Sequence, residues 1–315
     1  MKLKNKGIVF GLSSAIFWSF NTIILSILLQ GKDIYFLPLF FAFLHDLFSS
    51  IYLYLNLIRL KYKVKVFLKT VNKKALLVMI GAAVFGGPLG MASYLMSTKY
   101  IGPSYSASIS ILYPVLGALI AKFLFNENLN KYRVVSICLS TIGLLTLCLT
   151  FDNISLYPNY KIGFIFSITC ILGWALEGNI ASYFMKSENI PSEVAIFIRQ
   201  VSSSIFYLFF ILPWFFKVEL IQELLSKNTI MLLLLASFLG SISYLLWYGA
   251  IDILGGAIGM LLNSTYVIWV VLIDILILGT TLNNRVIIAF IAIFFSIVIL
   301  TKESRDKEWK EMQLF

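Results

Sequence analysis

Charge is scarce in this sequence. Asp, Glu, Lys and Arg make up 13% of its 315 residues and the hydrophobic set 60%, whereas soluble domains run about 25% charged and about 45–50% apolar. Too few polar side chains exist to coat a soluble globule, and the mean hydropathy of +0.91 makes lipid the solvent for the excess. Histidine occurs once, at His45, which removes most histidine-based catalysis and metal chemistry. The three cysteines, Cys138, Cys148 and Cys170, lie in apolar runs without the paired spacing of a disulfide framework or a zinc site. HExxH, GxSxG and paired-aspartate motifs are also missing, which argues against an intramembrane lipid-processing enzyme. Neither a cofactor nor a metal is expected.

What is plentiful is apolar sequence in lengths near the ~20 residues that a helix needs to cross hydrocarbon. Ten segments qualify: 7–29, 36–58, 75–97, 103–125, 132–150, 161–185, 193–216, 229–250, 256–279 and 286–301. Each is expected to be a helix, since an open strand would leave backbone groups unpaired in lipid. MKLKNK and the run after it imitate a secretory leader, but the run exceeds the ~7–15 residues of a leader core and reads as a first span.

The net charge of +10 raises nucleic acid as a partner. The cations, however, sit in short connections between spans, so the expected partner is the bilayer and not nucleic acid. With the N-terminus inside, seventeen Lys and Arg residues fall on the cytoplasmic side and six on the other, with Lys122 and Arg199 inside spans. That bias predicts a multi-pass protein of the cytoplasmic membrane with both termini cytoplasmic.

The two halves align at a nearly constant offset. Gly7, Trp18, Asn21 and Ser26 match Gly163, Trp174, Glu177 and Ser182, and HDLFSSI (45–51) matches RQVSSSI (199–205). Gly90, Tyr94 and Ile101 match Gly240, Tyr244 and Ile251, while Tyr113, Leu129 and Asn130 match Tyr266, Leu282 and Asn283. The expected units are a first five-helix repeat (1–150), a second (151–301) and a cytoplasmic tail (302–315). Five is odd, so two copies in series lie in opposite orientations, an arrangement typical of carriers whose site lies between the repeats.

Ionisable groups at membrane depth are costly and mark candidate sites. Glu177 lies near the middle of the sixth span, three residues after Trp174 and so on one helical face with it. It reads as a lone carboxylate suited to a cation or a proton. Around the same depth as Trp174 recur Trp18, Tyr94, Tyr113, Tyr244, Trp247, Tyr248, Tyr266 and Trp269, a set able to form a cage whose ring faces attract a cation. His45, Asp46, Arg199 and Gln200 occupy equivalent places in the second and seventh spans. A buried Asp–Arg or His–Glu pairing between the repeats would lower the ionic cost, and the network could gate the cavity or relay protons. Asp274 and Lys122 read as snorkelling residues, and Glu127 and Asp252 as solvated loop positions. GGPLG (86–90) and LGGAIG (254–259) lack the GK[ST] of a phosphate loop and read as packing or hinge elements.

Together AIFWSF (15–20), FLHDLFS (43–49), the run from Gly86 to Pro114, LGWALEGNIASYFM (172–185), IRQVSS (198–203), SISYLLWYGAI (241–251) and NSTYVIW (263–269) carry a resemblance. The chain resembles the drug/metabolite transporter superfamily, in its EamA-type branch, and within that the LicB-type choline transporters. The resemblance covers nearly all the spans and implies ten transmembrane helices as two inverted five-helix repeats. It implies a secondary transporter importing choline, or a close quaternary amine, by alternating access with protons as a candidate coupling ion. Carried onto this sequence, it points to Trp18, Trp174, Glu177, Tyr244 and Tyr266, with His45, Gln200 and Asn263 nearby. GTTLN stands where the first half has FNENLN, a departure from the family pattern. An exporter of amino acids or other small metabolites is the alternative within transport.

Overall fold

The computed structural model describes residues 2–31, 34–62, 71–125, 131–148, 157–215 and 226–278, with isolated positions from 284 to 299. The described residues form helices joined by short connections, with no strand among them. In chain order the helices are α1 (Lys2–Leu29), α2 (Leu37–Arg59), α3 (Lys73–Val84), α4 (Ala92–Ser110), α5 (Tyr113–Leu124) and α6 (Lys131–Cys148). Then follow α7 (Tyr160–Ser187), α8 (Ser192–Phe206), a short α9 (Leu212–Phe215), α10 (Lys227–Leu254), α11 (Gly256–Ser264) and α12 (Tyr266–Leu278). Two π-helical turns are built in: Phe85–Met91 joins α3 to α4, and Tyr207–Ile211 joins α8 to α9.

Among the described residues, seven helical stretches are long and apolar enough to cross a membrane: Leu3–Leu29, Leu37–Arg59, Lys73–Ser110, Tyr160–Ser187, Ser192–Phe215, Lys227–Leu254 and Gly256–Ile273. Tyr113–Leu124 and Val134–Gly143 are shorter apolar helices. The expected tenth span (286–301) lies mostly outside the described residues. The tail, Glu127, Leu129, Asn130, Leu282, Asn283 and the side chain of Asp274 lie outside them altogether.

Local chemistry sets where these helices start and stop. Asn72 caps α3, its side-chain oxygen accepting from Lys74 N at 2.9 Å. Pro38 and Pro114 occupy the first turns of α2 and α5, where a missing N–H costs nothing. Two expected spans are broken. Segment 103–125 turns at Ile111–Leu112, because Pro114 cannot supply the N–H that would bond the Ser110 carbonyl. Segment 256–279 breaks at Thr265, where the hydroxyls of Ser264 and Thr265 bond back to the carbonyls of Leu261 (2.7 Å) and Leu262 (2.8 Å). Upstream of each break stands a glycine in left-handed backbone: Gly102 (φ 76°) before Pro103, and Gly255 (φ 92°) between α10 and α11.

α1 packs along α10, α4 along α7, and α2 along α8. Small residues allow the close approach: a Cβ at Gly11 would lie 2.6 Å from Leu262, and one at Gly163 would lie 2.6 Å from Ile101. Ser14 and Ser243 donate to one another's carbonyls at 2.9 Å, locking α1 to α10. Asp252, expected in a loop, instead lies in the last turn of α10 and is half-buried, because the helix runs on to Leu254.

Candidate functional site

Where α1, α5, α7, α10 and α11 converge, Trp18, Tyr113, Trp174, Ser243, Tyr244, Trp247 and Asn263 line a pocket. Its rings meet largely edge to face: Trp18 to Trp174 at 5.6 Å and 79°, Trp18 to Tyr244 at 5.2 Å and 61°, and Tyr113 to Trp174 at 5.7 Å and 75°. Such contacts suit the ring quadrupole and hold each ring in place. The break before α5 positions Tyr113, whose hydroxyl donates to Asn263 Oδ1 at 2.8 Å. Asn263 Nδ2 in turn donates to Ser14 Oγ at 2.7 Å. One wall is therefore hydrogen-bonding while the rest is aromatic. The indole Nε1 of Trp247 has no hydrogen-bond partner among the described residues.

Behind the rings lies a buried ionic chain. Arg199 donates from Nε to Glu177 Oε1 at 2.7 Å and from Nη1 to Asp46 Oδ2 at 3.1 Å. Tyr248 donates to Glu177 Oε1 at 2.9 Å, Ser203 donates to Asp46 Oδ2 at 2.5 Å, and His45 Nδ1 meets Asp46 Oδ1 at 3.2 Å. Arg199 also donates to Gln200 Oε1. All five of Glu177, Asp46, Arg199, His45 and Gln200 are fully buried. Unpaired, charges at this depth would cost several kcal/mol each. Two carboxylates face one guanidinium, so these three groups together carry a formal charge of one negative. The Arg199 guanidinium sits 4.8 Å from the centre of the Tyr244 ring, and that ring also lines the pocket, so the ionic chain adjoins the pocket wall through its cation.

The π-helical turn Phe85–Met91 is the seat for these groups. A Cβ at Gly86 would fall 1.9 Å from Glu177 Oε2, one at Gly87 would fall 1.8 Å from Ser203 Oγ, and one at Gly90 would fall 2.5 Å from the Trp174 ring. Tyr207 ties the turn down by donating to the Gly87 carbonyl at 2.9 Å. Pro88 removes one ladder N–H, and the wider turn absorbs that loss.

Of the ring residues expected in the cage, Trp18, Tyr113, Trp174, Tyr244 and Trp247 line the pocket, and Asn263 joins them. Tyr94 packs behind, 5.0 Å from Trp174, and Tyr266 lies behind Tyr94 at 6.3 Å. Glu177 departs from expectation: it is not a lone acid and does not line the pocket. Three residues after Trp174, it diverges enough to pass behind the indole into the Gly86 seat, where Arg199 neutralises it. Sequence reasoning counted Tyr248 among the rings at this depth, not as a donor to Glu177, and it missed Ser203 and Ser243. Ser203 was signalled only by an ionic chain that needed further donors, and Ser243 by nothing in the local pattern.

The helices and buried site define an all-α, multi-pass membrane protein with an internal small-molecule pocket. The model of the EamA-like transporter family matches twice in succession, over residues 5–149 and 161–302. Protein LicB of Haemophilus influenzae is 31% identical over 272 residues, which span 84% of this chain and 87% of that protein. The chain belongs to the EamA-like transporter family. A crystal structure of another protein shares the fold, with a TM-score of 0.67 at 15% identity over 96% of this chain and 99% of that one.

Proposed function

We propose that the protein imports choline, or a closely similar quaternary amine, across the cytoplasmic membrane by alternating access. In this reading ten helices form two oppositely inserted five-helix halves (1–150 and 151–301) around a shared pocket, with both termini and the 302–315 tail cytoplasmic. The observation that carries it is the ring-lined pocket backed by a buried chain of two carboxylates and one guanidinium, the guanidinium lying against Tyr244. A quaternary ammonium has no N–H to donate, so ring faces and a nearby diffuse negative charge are its natural partners. Asn263, Ser243 and the partnerless Trp247 Nε1 supply hydrogen bonds for the hydroxyl end of such a substrate. His45, linked through Asp46 to Arg199 and Gln200, belongs in this reading to the buried network that gates the pocket.

Uptake of radiolabelled choline by a host lacking its own choline uptake tests the reading. Accumulation above the empty vector is expected; none, with the protein present in the membrane, removes it. Displacement of bound choline by neutral amino acids would instead support an exporter of such metabolites. Trp174→Ala is expected to weaken choline binding about tenfold or more, as loss of one cation–π face implies. Unchanged affinity would place the site elsewhere.

A further inference from the structure

We infer that Arg199 sets the valence of the cation the pocket accepts, by cancelling one of two buried carboxylates and leaving one. The inference rests on the cation-carrier reading above and adds to it a specificity-determining residue that does not line the pocket. Glu177 and Asp46 both touch the same guanidinium, one through Nε at 2.7 Å and the other through Nη1 at 3.1 Å. Neither carboxylate reaches the pocket wall, so a substrate responds to their summed field more than to either oxygen. In a poorly screened interior the summed field of all three groups reaches the pocket through the aromatic wall, where the guanidinium lies against Tyr244. One net negative charge favours one positive charge in the pocket. A second positive charge there would be left without a counter-charge, a costly state at this depth.

Charge counting yields a test in which position and number separate. Purified full-length protein is titrated with choline as the single-charge probe and 1,3-diaminopropane as the double-charge probe. Glu177→Gln and Asp46→Asn each bring the chain to zero and are expected to weaken choline binding about tenfold or more. The double variants Glu177→Gln/Arg199→Gln and Asp46→Asn/Arg199→Gln each restore one negative charge, from opposite ends of the chain. Both are expected to bind choline within about threefold of the parent protein, a small difference in binding free energy. Arg199→Gln alone carries two negative charges and is expected to shift preference toward the diamine by about tenfold.

Double variants no better than the corresponding single variants would overturn the inference. So would recovery in one double variant alone, which would make the position of the carboxylate decisive. Should Arg199→Gln fail to fold, the double variants decide; if neither of them folds, Arg199 is a structural residue and the inference falls. Failure of the parent protein to bind any monovalent amine would count against the cation reading itself, a separate outcome.

Discussion

The two halves meet the pocket with equivalent positions and opposite chemistry. By the sequence offset, Trp18 corresponds to Trp174, Asn21 to Glu177 and His45 to Arg199. In the second half the pair is closed: Arg199 grips Glu177 through two nitrogens, at 2.7 and 3.5 Å. In the first half the pair is open. Both side-chain atoms of Asn21 and the Nε2 of His45 lack hydrogen-bond partners among the described residues. They nevertheless converge, since the point where Gly240 lacks a Cβ lies 2.4 Å from His45 Nε2 and 3.4 Å from Asn21 Oδ1. The Glu177–Arg199 pair is thus closed, while its counterparts Asn21 and His45 keep polar atoms that still carry part of their desolvation cost. Duplication supplied matching frames, and the charges were placed on them asymmetrically.

Matched substitutions at these positions are therefore expected to have unequal effects. The largest is expected at Arg199. Arg199→Ala leaves Glu177 and Asp46 buried without their cation, a loss of about 3–5 kcal/mol for such pairs. His45→Ala removes one 3.2 Å contact to Asp46 and should cost about 0.5–1.5 kcal/mol. Thermal unfolding of both variants in one detergent compares them directly, and equal losses would erase the distinction between the halves.

Next in size is Gly86→Ala. The added methyl would overlap the Glu177 carboxylate, which Arg199 and Tyr248 already hold, so overpacking of about 1–3 kcal/mol is expected together with weaker choline binding. The position at the same offset in the second half is already alanine, Ala236, and is fully buried. A Gly86→Ala protein with wild-type stability and affinity would mean that the carboxylate does not need this seat.

The apolar spans were legible because hydropathy is a local property. So were the aromatic positions that form the pocket, since the offset between halves pairs Trp18 with Trp174 and Tyr113 with Tyr266. The break at Ile111–Leu112 was also written locally, in Pro114. The break at Thr265 was not, because Ser264 and Thr265 can equally well continue a helix and the choice depends on tertiary fit. Least legible was the state of Glu177. Its partner Arg199 lies on α8 and its seat Gly86 on a π-helical turn, and no pattern within α7 signals either. A carboxylate alone in its own helix need not be alone in the fold.

Tyr248→Phe probes the closed pair gently. It deletes one donor to Glu177 Oε1 and leaves Arg199 in place, so about 1.5 kcal/mol of stability should be lost, the low end for a hydrogen bond to a charged group. Unchanged stability would show that Arg199 alone satisfies that oxygen.

The smallest expected effect is at Asn21, and it is the sharpest test of the open pair. Asn21→Leu is close in size and removes two buried polar atoms that have no partner among the described residues. Removing an uncompensated polar group while keeping the volume is nearly neutral or slightly stabilising, so Tm should stay level or rise by a few degrees. Glu177→Leu, its counterpart by offset, strips Arg199 of a carboxylate it holds through two nitrogens and should lower Tm well beyond that. A marked loss of stability in Asn21→Leu would mean that Asn21 is bonded in the working protein, and the first half would then be as closed as the second.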